Sequence, residues 1–335
     1  MVDFLESFGL NLICGENPII SLQDVTLKSA DFQDLKLTRV NLSSARLVKS
    51  NWRSVEGWDL IANNCQFRRA DMRRARFYNC HFQGADFSHA DLRGASFDSC
   101  DLRGAILDSA NLRGATFPKS QLRGVRWNFW TRFSRHTRII FKLVNGLLSS
   151  KNLENFDLSE CDLSGVDLKG FNLRRANLCG ANLTAARLNG AKLGNAILYQ
   201  AELKDIKLDQ ATELDEKWRL VAAILSHPQA GRNLRGADLS YTCLEDAYLH
   251  KADLTGARLV GANLLGADLS GCNLTNAILQ KNDAGDLPAD HPQEDQPAPA
   301  GFVASVAHPA RHAAADTSLS RSQQRPAPRP PRIAR

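Results

Sequence analysis

Large apolar residues recur at every fifth position of this chain. They run Leu22, Leu27, Phe32, Leu37, Leu42, Leu47, Trp52, then Phe67, Met72, Phe77, Phe82, Phe87, Leu92, and on to Leu122 and Trp127; only Gly57 and Ala62 are out of step. A second series, in a new phase, runs from Leu153 to Leu208, and a third from Leu234 to Leu279, both with leucine at every centre. A period of five suits neither a helix, which would rotate its leucines off any face, nor a flat strand, which would send alternate ones to solvent. A chain that turns a corner every five residues keeps every centre inward. Two positions before each centre usually stands Ala, Cys, Val or Ser, small enough to share a narrow interior, so the consensus reads A-(D/N)-L-x-x.

If four such units make one coil, residues 20 apart stack on one another. Phe77, Phe97 and Phe117 then form one column, and Arg53, Arg73, Arg93 and Arg113 form another. The triplet Leu-Arg-Gly at Leu92, Leu102 and Leu112 sends alternate arginines to opposite sides, with Arg103 and Arg123 across from that column. In motifs such as ANLRGATF, ANLCGANL, ADLTGARL and GANLLGADLS the chain resembles the pentapeptide repeat family, over roughly residues 22–280. The resemblance implies an all-β solenoid, a right-handed quadrilateral parallel β-helix with four repeats per coil. It implies no activity by itself.

The pattern breaks twice and then stops. It predicts an N-terminal cap at 1–19, a first block at 20–128, a basic amphipathic helical insert at 129–150 and a second block at 151–210. A helical connector at 211–231, a third block at 232–280 and a disordered Pro/Arg-rich tail at 281–335 complete the chain. In the insert, FWTRFSRHTRIIFKLVNGLLSS, the residues Trp130, Phe133, Ile140, Val144 and Leu147 define an apolar face, and Arg132, Arg135, Arg138 and Lys142 lie largely elsewhere. Such a helix either packs on the coil edge as a connector or grips a partner or an anionic membrane. In the connector, Thr212 and Asp215 read as a capping-box variant, with Leu214, Trp218, Val221 and Leu225 on one face.

Charge is unevenly spread. The net charge is +6, yet residues 126–151 hold six basic residues and no acidic one, and the rest of the repeat region is close to neutral. The neighbours of the arginine column two residues earlier are Asn51, Asp71, Asp91 and Asn111. They fit a solvated Arg/Asp ladder; the excess of arginine fits an anion-binding stripe for nucleic acid or an acidic partner. In the tail, RPAPRPP fits an RxxPxxP ligand for an SH3-type domain through Arg325, Pro328 and Pro331. Cys65, Cys80, Cys100, Cys161 and Cys272 fall at the small inward position and read as buried thiols. No catalytic, cofactor or metal-ligand spacing is present, so neither an enzyme nor a cofactor is expected.

These features point to a non-catalytic protein-interaction scaffold, one version of which is a secreted bacterial effector. Some members of the family the chain resembles act as DNA mimics on type II topoisomerases; a near-neutral to basic surface argues against that here, and nucleic acid is not an expected partner. Anionic-membrane docking through 129–150 is a further alternative, and the resemblance implies a homodimer through a coil end. No apolar run reaches the length of a membrane span, and Asp3 and Glu6 stand where a signal peptide needs positive charge. The expected location is therefore the cytoplasm, or outside the cell by a route without such a peptide.

Overall fold

The structure is a computed structural model that describes residues 20–279. The predicted cap at 1–19 and the tail, with Arg325, Pro328 and Pro331, lie outside the described residues.

Each five-residue unit is a corner. In the unit centred on Leu102, which is buried, the Leu102 carbonyl accepts the Ala105 N–H at 3.0 Å and closes a turn. The third residue of that turn, Gly104, has φ +69°, a region open mainly to Gly, Asn and Asp. Asp24, Asn64, Gly84, Asn79 and Asn195 occupy the same place in their own units, each with positive φ. Leu-Arg-Gly therefore has a structural grammar: leucine fills the core, glycine turns the corner, and arginine rides between them on the surface. The Asp or Asn before each centre is a backbone device too. Asp101 Oδ1 accepts the Arg103 N–H at 3.0 Å, Asn182 that of Thr184 at 2.9 Å and Asp268 that of Ser270 at 3.0 Å. These Asx turns favour the two short carbonyl-bearing side chains.

Coils stack in parallel. Six short strands are long enough to label: β1 (Ile20–Ser21), β2 (Lys36–Thr38), β3 (Val40–Asn41), β4 (Glu56–Trp58), β5 (Arg76–Tyr78) and β6 (Ser96–Asp98). β1 pairs with β3, and β2-β4-β5-β6 form a parallel sheet in the register Gly57↔Phe77↔Phe97. Single bridges such as Asp71↔Asp91 and Asn152↔Asn172 carry the 20-residue register through the rest of the blocks, so four units make one coil.

The interior alternates one large and one small residue. Phe77, Phe97 and Phe117 stack at 5.2 and 5.4 Å, and Trp52 lies on Phe32 at 4.4 Å. The indole N–H of Trp52 donates to Ser50 Oγ at 2.9 Å, which explains a serine at that small position. Gly57 and Ala62 are a size swap: Leu60, at the position otherwise kept small, is buried between them. A Cβ on Gly57 would stand 2.6 Å from Leu60 Cδ1 and 2.9 Å from Phe77 Cδ1. Cys65, Cys80, Cys100 and Cys161 are buried at the small position and Cys272 is half-buried there; all are free thiols.

Two helices interrupt the coil, α1 (Arg135–Val144) and α2 (Glu216–Ser226). Both are shorter than the pattern predicts, because the coil runs further. Thr131 points inward and its hydroxyl donates to the Leu107 carbonyl at 2.9 Å; Arg132 bridges Asn111; Phe133 packs against the core as one more centre. One inserted residue moves that bridge from 20 residues to 21. The same ending recurs 81 residues later: Thr212 bonds the Leu188 carbonyl, Glu213 bridges Lys192, and Leu214 packs on the core. Thr212 therefore belongs to the coil and caps no helix. The N-cap of α2 is Asp215, without a side-chain cap bond, and that of α1 is Ser134, whose hydroxyl accepts the Thr137 N–H.

The helices sit between blocks. Phe141 meets Phe117 edge-on at 5.2 Å in the first block's core, while Leu143 joins the second block's. Thr137, Phe141 and Leu143 make up the buried face of α1; Trp130 and Leu147, expected on that face, are exposed. On one side the blocks also meet directly, through Lys119 N–H to the Glu160 carbonyl at 2.5 Å and Gln200 N–H to that of Tyr241 at 2.9 Å.

Candidate interaction surface

The arginine column lies on the coil face whose centres are Phe32, Trp52, Met72, Leu92 and Leu112. Arg53, Arg73 and Arg93, with Arg74 beside them, line a shallow depression of about 210 Å³. Its charges are unequally matched. Arg73 reaches Asp71 at 2.5 Å, and Arg93 reaches Asp91 at 2.7 Å. The hydrogen bonds from Arg73 hold the Asp71 carboxyl below the usual range, against a smaller effect of burial, and the Arg73 and Arg93 guanidinium groups are held above theirs by Asp71 and Asp91. Arg53 and Arg113 follow Asn51 and Asn111 instead; among the described residues neither forms an ion pair. Like charges stacked at the strand spacing, about 5 Å, repel one another, so an anion laid along this face finds unmatched positive charge at both ends of the column.

The preceding face, with centres Leu27, Leu47, Phe67, Phe87 and Leu107, is basic as well. It carries Lys28, Arg46, Lys49, Arg68, Arg69 and Arg126 against Asp86 and Asp108. Arg68 bonds Asp86. Neither this face nor Arg74 is among the residues expected from the sequence, although folding the sequence at 20 residues aligns both.

Of the other predicted residues, Arg132 continues the coil beyond the first block, and Arg135, Arg138 and Lys142 are exposed on α1. The Arg138 guanidinium lies 6.0 Å from the ring centre of Phe133. A cavity of about 390 Å³ at the first joint is lined by Phe117, Thr137, Phe141, His136, Glu160 and Asp162 among others. At the second joint Trp218 stands in the place of Thr137. Cys161 also lines the cavity; burial, with the nearby acidic groups, pushes its thiol up to about 12, so it stays protonated. Among the described residues no group of His, Cys, Asp and Glu is arranged to hold a metal ion, and no helix is long and apolar enough to cross a membrane.

Five-residue turns, a 20-residue parallel register and an interior of one large and one small residue per corner define a β-helical repeat protein. The profile of the pentapeptide repeat region matches residues 70–138, and that of pentapeptide repeats (8 copies) matches overlapping windows across 148–212 and 233–281. The chain belongs to the pentapeptide repeat family. Among solved structures it is similar to HetL, a pentapeptide repeat protein involved in heterocyst differentiation regulation from the cyanobacterium Nostoc sp. strain PCC 7120. The identity is 26%, over 78% of this chain and 90% of HetL, with a TM-score of 0.34. Rfr23, from the cyanobacterium Cyanothece 51142, is 25% identical over 34% of this chain and 88% of its own, with a TM-score of 0.29. Full-length QnrB1, a plasmid-mediated fluoroquinolone resistance protein, is 18% identical over 57% of this chain and 94% of its own, also at 0.29. No curated protein matches the chain.

Proposed function

We propose that the protein is a non-catalytic interaction scaffold whose coil face along Arg53, Arg73, Arg93 and Arg113 receives an acidic segment of a protein partner. One observation carries this reading: the column's two outer arginines, Arg53 and Arg113, have an amide two residues before them where its inner arginines have a carboxylate. Repeat solenoids bind through extended surfaces of this kind, and the two arginines without an ion pair leave a positive excess that attracts the opposite sign within about a Debye length of 8 Å. A surface of this sign binds anions and does not imitate them, which weighs against topoisomerase binding by DNA mimicry. The test is affinity capture from native extract with the wild type and with the Arg53→Glu/Arg113→Glu variant. The reading expects a partner held at low salt, released at high salt and lost in the variant. A partner held equally by both proteins, or turnover of a substrate by the purified chain, overturns it.

A further inference from the structure

We propose that the corner between the two basic faces docks on an anionic membrane surface, with Phe129 and Trp130 entering the headgroup layer. Phe129 is 91% exposed and Trp130 72%, far more than any other aromatic pair in the described chain, and their rings meet edge-on at 5.5 Å. The loop that carries them is held rigidly. Asn128 Oδ1 accepts the N–H groups of Trp130 and Ser109, both at 3.0 Å, and Asn128 Nδ2 donates to Ser109 Oγ at 3.2 Å. Thr131 ties the far end of the loop to the Leu107 carbonyl.

The fold does not require aromatics there. The second joint builds the same loop from Asp209 and Thr212, with Asp209 Oδ1 accepting the Gly190 N–H at 2.9 Å. Its two tip residues are Gln210 and Ala211, exposed like the first pair but neither large nor apolar. Two large rings on the first tip are thus an addition to a joint that closes without them.

What lies below the tip gives it a partner. The loop stands on Ser109, at the end of the corner column Lys49, Arg69, His89 and Ser109. Arg46, Arg68 and Arg126 flank that column on one face, with Asp86 bonded to Arg68 and Asp108 beside them; Arg93, Arg113 and Arg132 flank it on the other, with Asp91 paired to Arg93, which leaves a basic excess. A basic ridge ending in two exposed aromatic rings has the composition that seats proteins on acidic bilayers. Lys and Arg are drawn to anionic headgroups, while Trp and Phe settle at the boundary of headgroup and acyl chain. The rings project from a convex tip, so a protein partner would have to supply a pocket for both; a bilayer needs none. The loop lies within the insert 129–150 that the sequence suggests for membrane docking, but it is not the amphipathic helix expected there: Phe133, of the expected apolar face, packs against the core. Arg93 and Arg113 border both surfaces, but the docking rests on the loop and the Lys49 and Arg69 column and needs no protein partner along the arginine column.

Co-sedimentation of the full chain with vesicles tests this, using phosphatidylcholine alone and with about 30% phosphatidylserine. The expected result is binding to the acidic vesicles only, at low salt. It should weaken by about tenfold or more in Phe129→Gln/Trp130→Ala and in Lys49→Glu/Arg69→Glu. The first variant copies the tip of the second joint and should melt with the wild type by circular dichroism. No binding to acidic vesicles at low salt overturns the proposal, as does binding that the loop variant leaves unchanged. If the extract experiment fails while vesicle binding holds, the protein-partner reading falls and this one stands.

Discussion

Asn145 closes the open edge of the first block: its Oδ1 accepts the Gly124 N–H at 2.7 Å and its Nδ2 donates to the Leu122 carbonyl at 3.2 Å. One coil earlier the Gly104 N–H bonds the Arg123 carbonyl; at Gly124 the side chain of Asn145 takes the place of that backbone carbonyl. At the second joint Ser226 Oγ does the same for the Asp205 N–H at 2.8 Å. Losing one cap leaves backbone groups without partners, so Asn145→Ala should cost about 1–2 kcal/mol. Asn145→Ser should recover part of that, since serine suffices at the second joint. Urea midpoints of the three proteins decide.

The five-residue register predicts opposite fates for neighbours. Leu102 is 1% exposed, so Leu102→Ala should cost about 2–5 kcal/mol and Leu102→Asp more. Arg103 is exposed and bonds Asp101 at 2.6 Å, and Asp101 keeps its backbone bond without the guanidinium. Arg103→Ala should therefore cost less than about 1 kcal/mol. Urea denaturation showing a costly Arg103 and a harmless Leu102 would mean that the register is wrong.

The swap at Gly57 and Leu60 predicts a coupled pair. Gly57→Leu alone overpacks against Leu60 and Phe77, and Leu60→Ala alone leaves a cavity worth about 2–5 kcal/mol. The double variant restores the large-centre, small-neighbour pattern of the surrounding units and should be more stable than either single one. A double-mutant cycle in urea that comes out additive would mean that the two side chains do not share one space.

Acid should loosen the coils through their Asx turns. Asp253 is held down to about 2, first by the Thr255 hydroxyl and then by Arg235, at 2.9 Å, and the Thr255 N–H. Its folded value lies below the unfolded one, so its contribution is complete above about pH 4 and is lost as pH falls toward about 2. Asp253→Asn keeps an acceptor for the turn but cannot titrate. The urea midpoint of the wild type should fall more steeply across that window than the variant's; parallel curves would remove Asp253 from the acid response.

The candidate surface was legible only in part. Folding the sequence at 20 residues brings Arg53, Arg73, Arg93 and Arg113 into line, because coil stacking copies sequence spacing into space. Whether each arginine is matched depends on side-chain reach, which only the structure shows: Arg73 pairs with Asp71, and among the described residues Arg53 forms no ion pair. Phe129 and Trp130 read from the sequence as the start of a helix. The structure places them on a loop, because one inserted residue lets the coil continue through Arg132 and Phe133 before the helix begins.

By itself the sequence determined the solenoid. A strict period of five, with a large centre and a small residue two before it, has one way to bury every centre. The register follows from it, since units of equal length must stack. The tertiary structure alone decided where each block ends and what its ends do. Those choices rest on single residues without a period, such as Thr131, Asn145, Thr212 and Ser226. Their side chains bond backbone groups about 20 or more residues away, and such a partner is visible only once the coil has brought it near.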